Sequence, residues 1–412
     1  MEFFTVVTPD EAKKLVSEKW KLFPRIVKQP VLASLGRILA EEVIALEDVP
    51  GFAKSTVDGY AVKAANTFGA SESLPAYLEL AGRIEMGTSS KCYTLEEDQL
   101  IKVPTGGMLP AGADAVVMIE QTEEVSQQLV AVLKSVAPGE NVILSGEDVS
   151  KGARILPAGR QLKAVDIGAL AAVGKTEVNV WEPVKVGIIS TGDEIVSPDE
   201  QLFLGQVRDI NSFTLAGFVQ EAGGIANLYG IVPDEYELLK NTIVKALAEN
   251  DLVLVSGGSS VGVRDYTSGI LEELGDPGII FHGVSIKPGK PTLAAVANGK
   301  LIFGLPGHPA SAITAYHLLV DQLIRYGSYQ EDPILEEKKK IKAKLAKGVA
   351  STAGRKDYIP VTLVEADGAW VATPLLGKSG LILPIVKSDG YLVIPLHCGG
   401  LEPGQEVVVT IW

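Results

Sequence analysis

The chain is poor in the residues that cross-link a fold or cage a metal. It has two cysteines and four histidines in 412 residues. Cys92 and Cys398 lie too far apart in sequence to suggest a disulfide framework or a Cys-rich metal site, and both read as small buried hydrophobes. Basic residues are outnumbered, 37 against 51 acidic, for a net charge of −14. That balance argues against bulk binding to nucleic acid or to an anionic membrane. No hydrophobic run reaches transmembrane length, and the start, MEFFTVVTPDEAKKL, lacks a basic stretch followed by an apolar one, so a cytoplasmic location is expected. No internal repeat or low-complexity tract is found. What is abundant is apolar: 46% hydrophobic residues, with 43 glycines and 23 prolines, mark a globular chain too long for a single core.

The texture changes along the chain. Thr8-Pro9-Asp10-Glu11 reads as a helix start, with the helix running from Glu11 to about Trp20. A short helix is expected within 31–46. Residues 47–137 are short Val/Ile/Leu runs broken by Gly and Pro, a β-rich domain. Residues 138–176 carry one helix (164–173) and, with 1–46, are expected to form a discontinuous elongated domain. From 177 to 328 strands and helices alternate, which predicts a mostly parallel sheet covered on both faces, with Asn211 capping one of its helices. The run EEKKKIKAKLAKG (336–348) reads as a solvated linker or edge strand, and 329–412 as a small C-terminal β-barrel. The fold class is therefore multidomain α/β plus β.

In such a sheet ligands bind beyond the carboxyl ends of the strands, and the unusual loops all fall there. They are Ser190-Thr191-Gly192-Asp193-Glu194; the stretch SGGSSVG, with Ser256, Gly257, Gly258, Ser259 and Ser260; Lys287-Pro288-Gly289-Lys290-Pro291; and Gly304-Leu305-Pro306-Gly307-His308-Pro309. Glycines and serines between a strand and a helix offer bare N–H groups to an anion, although SGGSSVG has no P-loop lysine. Lys287 and Lys290, held between prolines, supply the missing charge. Asp193, Glu194, Asp209 and Asp265 are carboxylates able to hold Mg²⁺, which takes one or two such ligands alongside phosphates. Bland alternatives stand beside them: Asp265 as a helix N-cap and Asp209 as a turn residue.

SGGSSVGVRDYT, IKPGKPT and GLPGHPAS, in this order and spacing, resemble the molybdopterin molybdenumtransferases, the family that includes the gephyrin E domain. DVPGFAKSTVDGYAV (48–62), VPTGGMLPAGADAVVMIE (103–120), GEDVSKGARILPAG (146–159), STGDE (190–194), AGRKDYIPV (353–361) and GKSGLI (377–382) agree, so the resemblance spans nearly the whole chain. It implies four domains, a homodimer, and Mg²⁺-assisted transfer of molybdenum from molybdate to adenylylated molybdopterin with release of AMP. Further implied partners are the molybdopterin adenylyltransferase and the apoenzymes that accept the cofactor.

The resemblance assigns functional roles to Asp58, Thr105, Asp148, Glu194 and Asp265, with Glu194 and Asp265 as Mg²⁺ ligands. Lys290, Pro291, Ser311, Arg355 and Ser379 match residues around the molybdate. Ser190, Thr191, the SGGSSVG loop, Lys287, Pro306 and Pro309 would complete the substrate site. Without it, Asp58 and Thr105 read as turn residues. His308 stands where the family commonly has asparagine, and Ala53-Lys54, Thr56-Val57 and Gly107-Met108 also depart from its pattern. These differences leave molybdate and tungstate both open. His282, His317 and His397 are isolated, and His317 reads as packing.

Overall fold

The computed structural model describes residues 6–257, 266–327, 339–366 and 368–412, which fall into two compact units. The first comprises 6–27 and the described residues from 181 onward; the second is 28–180.

The first unit is built on six strands in the order Ile225–Val232, Lys185–Thr191, Leu252–Ser256, Lys300–Leu305, Leu293–Ala297, Gly278–His282. The first four are parallel and the fifth runs antiparallel. The parallel strands read as nearly continuous apolar runs because both faces are covered. On one face Val186, Ile188, Leu254 and Phe303 pack against Leu215, Val219 and Tyr316 from the helices Asn211–Glu221 and Pro309–Leu319. On the other, Ile189, Val253, Val255 and Ile302 meet Ile243, Leu247 and Ile270 from Tyr236–Glu249 and Tyr266–Leu274. Each large side chain so buried contributes roughly 1.5–3 kcal/mol.

Five strands, Lys340–Leu345, Lys356–Ala366, Ala369–Pro374, Gly390–Ile394 and Glu406–Ile411, each pair with two others and close into a barrel. The run 336–348 is thus no edge strand where it is described: Lys340–Leu345 is paired on both sides, with Ala343 and Leu345 turned into the barrel core. A short strand, Ile286–Lys287, leaves the α/β sheet to pair in parallel with Lys356 and Asp357. This register sets the Lys287–Pro291 loop against the barrel.

Several local expectations change. The helix Pro9–Lys19 opens at the expected start with a capping box, Thr8 and Glu11 each bonding the other's backbone N–H. Its Ala12, Val16 and Trp20 lie in the α/β core rather than in an elongated N-terminal piece. The helix Asn211–Glu221 is capped by Asp209, which accepts from Ser212 N–H and Oγ–H, so Asn211 is released for other bonds. The helix that opens at Pro309 breaks at Val320 into Pro309–Leu319 and Asp321–Tyr326. Cys92 is exposed and fills no core, whereas Cys398 is half-buried and packs against the barrel core. His317 does pack, ringed by Phe218, Tyr316 and Trp412.

The second unit holds a mixed six-stranded sheet in the order Ala115–Met118, Gly59–Val62, Gln99–Val103, Ala76–Arg83, Leu129–Val132, Thr122–Ser126. Strand alternation divides its core: Tyr60 and Val62 face one cluster, Ala61 the other. The rest is two-stranded pieces and the helix Ala164–Ala172. The expected helix within 31–46 is only a 3-10 turn, Val31–Ser34. Gly36 takes φ 77°, and the following amides reach across the chain, Gly36 to Leu162 and Ala40 to Asn179. Among the described residues no helix is long and apolar enough to cross a membrane.

Candidate active site

The parallel register aligns the carboxyl ends of three strands. Ser190 lies opposite Ser256, and Ser256 opposite Leu305. Gly257 must be glycine: its φ is 108°, and a Cβ there would stand 2.1 Å from the Thr191 carbonyl oxygen. Thr191 donates its hydroxyl to Asp234, whose N–H is in turn held by Asp193. Ser190 Oγ is buried with no hydrogen-bond partner among the described residues. Asn211, released from capping, donates to Ser256 Oγ at 2.7 Å and to the Gly307 carbonyl at 2.9 Å, tying two of the strand-end loops together. Nothing in the sequence marked Asn211 for this duty beyond its place after Asp209. Gly258, Ser259, Ser260 and Asp265 lie outside the described residues.

From the Pro306–His308 loop a cleft of about 1310 Å³ opens between the α/β sheet and the barrel. Lys287, Lys290 and Pro291 line it from one loop, Pro306 and His308 from another, Ser311 from the helix that follows, and Arg355 and Ser379 from the barrel. Pro309 opens the helix Pro309–Leu319 just behind. The lysines reach this wall because Ile286–Lys287 is pinned to the barrel strand. Gly289, at φ 113°, turns the chain so that Lys290 O can accept from Val284 N–H.

Asp357 organises the cations. Its carboxylate is 1% exposed, accepts from Arg355 Nε at 3.1 Å and stands 3.8 Å from Lys287 Nζ. One buried anion thus fixes two cations that remain partly open to the cleft, while Lys290 is exposed. Asp357 sits within AGRKDYIPV, yet its role becomes visible only once the parallel pairing brings Lys287 beside it. The arrangement is suited to a tetrahedral anion: two ammonium groups, a guanidinium and hydroxyls, with acceptors few.

The carboxylates are dispersed. Glu194 is exposed after the first strand, and among the described residues no group of three or more His, Cys, Asp or Glu side chains forms a metal cage. Ser190, Thr191, Glu194, Ser256 and Gly257 stand at the strand ends and do not line the cleft. In the second unit, Thr105 donates both N–H (2.7 Å) and hydroxyl (3.1 Å) to Asp58 Oδ1. These bonds, the backbone one first, hold the Asp58 carboxyl below its usual range. Gly59 follows because a Cβ there would meet the Val117 carbonyl at 2.0 Å. Asp148 is exposed, its N–H bonded to Val49 O.

Comparison with known proteins covers the chain in three segments. Residues 7–174 match the MoeA N-terminal region (domain I and II), 187–326 a "Probable molybdopterin binding domain", and 342–412 the MoeA C-terminal region (domain IV). The molybdopterin molybdenumtransferase of a Nostoc species is 34% identical over 92% of this chain and 86% of its own. That of Haemophilus influenzae is 30% identical over 98% of both. A crystal structure of a molybdopterin biosynthesis MoeA protein from Pyrococcus horikoshii superposes with a TM-score of 0.84 at 37% identity, covering 99% of each chain. The chain belongs to the molybdopterin molybdenumtransferase family.

Proposed function

We propose that the chain inserts molybdenum from molybdate into adenylylated molybdopterin and releases AMP, completing the molybdenum cofactor. The observation that carries this reading is the cleft, where Lys287, Lys290 and Arg355 converge with Ser311 and Ser379. It is built for a small dianion, and the Pro306–His308 loop on its border is tied through Asn211 to Ser256 at the strand ends. There the phosphates of the nucleotide would lie on the SGGSSVG loop, with Ser190 Oγ as an available donor. The anion that an acidic chain holds is thus met by backbone N–H groups and a few converging cations.

Mg²⁺ belongs to this reading as a partner of the phosphates. Glu194 and Asp265 would hold it. The exposed Glu194 offers one hard oxygen ligand, and Gly192 leaves room for it, since a Cβ there would lie 3.0 Å from Glu194 Oε2. The bound cation would offset charge on the phosphates; the side chains of the cleft hold the oxyanion. The reading also includes four domains with boundaries near 46, 137, 176 and 328, with residues 6–27 joined to the α/β domain, a cytoplasmic location, and a homodimer. In that dimer Asp58 and Thr105 would serve the partner subunit's site, with Asp148 a further functional carboxylate. A supplying adenylyltransferase and receiving apoenzymes complete it.

Equilibrium titration tests the cleft directly. Molybdate should bind the wild-type chain and bind at least tenfold more weakly to Arg355→Ala, with AMP affinity unchanged. Equal weakening of both ligands would contradict the division between oxyanion cleft and phosphate loop.

A further inference from the structure

His308 caps the helix Pro309–Leu319 through its backbone alone; its side chain makes no capping bond. The ring instead turns to the barrel, where Nδ1 lies 2.9 Å from Ser379 Oγ. A second bond, Ala310 N–H to Ser379 O at 3.0 Å, fixes the backbone of that serine to the same helix. Both side chains line the cleft that also holds Lys290 and Arg355.

The chemistry of the pair depends on which atom carries the proton. A hydroxyl has one hydrogen, and an oxyanion presents acceptors only. If Ser379 donates to Nδ1, that hydrogen is spent on the ring and nothing is left for the anion. If Nδ1–H donates to Ser379 Oγ, the hydroxyl hydrogen is free to turn into the cleft. An imidazole can take either role, and the bond made at one nitrogen sets the state of the other.

We propose that His308 is a positioning residue for the oxyanion: its Nδ1–H donates to Ser379 Oγ and aims the Ser379 hydroxyl hydrogen at a bound tetrahedral dianion. This rests on the reading of the cleft as an oxyanion site. No covalent step is involved; the imidazole keeps one proton, and the anion selects the tautomer that carries it on Nδ1 and so frees the hydroxyl. An asparagine at 308 has an amide N–H₂ that can donate to the same oxygen, so His308→Asn should preserve the device. A leucine cannot.

Calorimetric titration of the full chain with sodium molybdate and with sodium tungstate tests this, with AMP as a second ligand. His308→Leu and Ser379→Ala should each weaken oxyanion binding about tenfold, the scale of one charge-assisted hydrogen bond. The double variant should be no weaker than either single one, because the two act as a unit. His308→Asn should stay within about threefold of wild type, and AMP affinity should be unchanged throughout. In ¹⁵N spectra, where only four histidines contribute, molybdate should move His308 Nδ1 to its protonated position. The proposal is overturned if His308→Leu binds oxyanions like wild type, if the two losses multiply to about a hundredfold, or if Nδ1 is unprotonated in the complex. A wild-type chain that binds AMP but no tetrahedral oxyanion would overturn the cleft reading itself, and this inference with it.

Discussion

Replacing Gly257 by alanine tests the geometry of the strand ends. Two penalties act there. The backbone φ of 108° is a conformation L side chains rarely adopt, at a cost of about 1–2 kcal/mol. The new Cβ would also lie 2.1 Å from the Thr191 carbonyl oxygen and 3.1 Å from its carbon. Ordinary contact begins near 3.4 Å, so one partner must move by more than 1 Å. Both belong to backbone: Thr191 ends the strand whose Ser190 pairs with Ser256. Such overpacking costs about 1–3 kcal/mol, which gives about 2–5 kcal/mol in total. Gly223→Ala is the control. It has a similar φ of 83° with nothing within 4 Å, so it carries strain without collision and should cost about 1 kcal/mol. Differential scanning calorimetry of the two variants, with AMP titration, separates the terms. Gly257→Ala should unfold well below Gly223→Ala and lose AMP affinity, whereas Gly223→Ala keeps it. Equal melting of the two would refute the close approach of Gly257 to Thr191.

Lys290→Ala should weaken molybdate binding about tenfold or more and leave AMP binding within twofold, since the strand-end loops are untouched; titration calorimetry reads both. Asp265→Asn and Glu194→Gln should each cut AMP release by roughly two orders of magnitude with partial recovery at high Mg²⁺. Wild-type turnover of Asp265→Asn at sub-saturating Mg²⁺ would leave Asp265 a helix cap only. The Asp58 and Glu124 carboxyls are both held below their ordinary range, the first by Thr105 and the second by Lys102 and Tyr60. A lowered carboxyl stabilises above its unfolded value, about pH 4, and that stability is lost as pH falls through the folded value. The melting temperature of the wild type should therefore drop as pH falls below about 4, and Thr105→Val should flatten part of that drop. Sedimentation at micromolar concentration should show a dimer; a monomer would count against a site shared between subunits.

Much of this was legible from residue order, because the signals were local. The Thr8 and Glu11 pair announced a helix start, and the apolar strands followed by Gly-rich loops placed the ligand rim. The rest depended on pairing across long stretches of chain. Residues 31–46 have helical spacing but spend their amides on residues 160–162 and 179. Lys340–Leu345, so rich in lysine, looks like an edge until the barrel closes over it. Asn211 and Asp357 were not singled out as site residues; each acquires its role from a partner, Ser256 or Lys287, that only the fold brings near. Cys92 was misread because residue type alone says little about exposure.

The central claim is molybdenum transfer, and AMP release measures it most directly. The purified chain is incubated with adenylylated molybdopterin and Mg²⁺, with and without molybdate, and free AMP is followed over time. The account predicts AMP release that depends on molybdate and falls sharply in Lys290→Ala and Arg355→Ala. Release that proceeds equally without any oxyanion, or that survives loss of both cations, would contradict it.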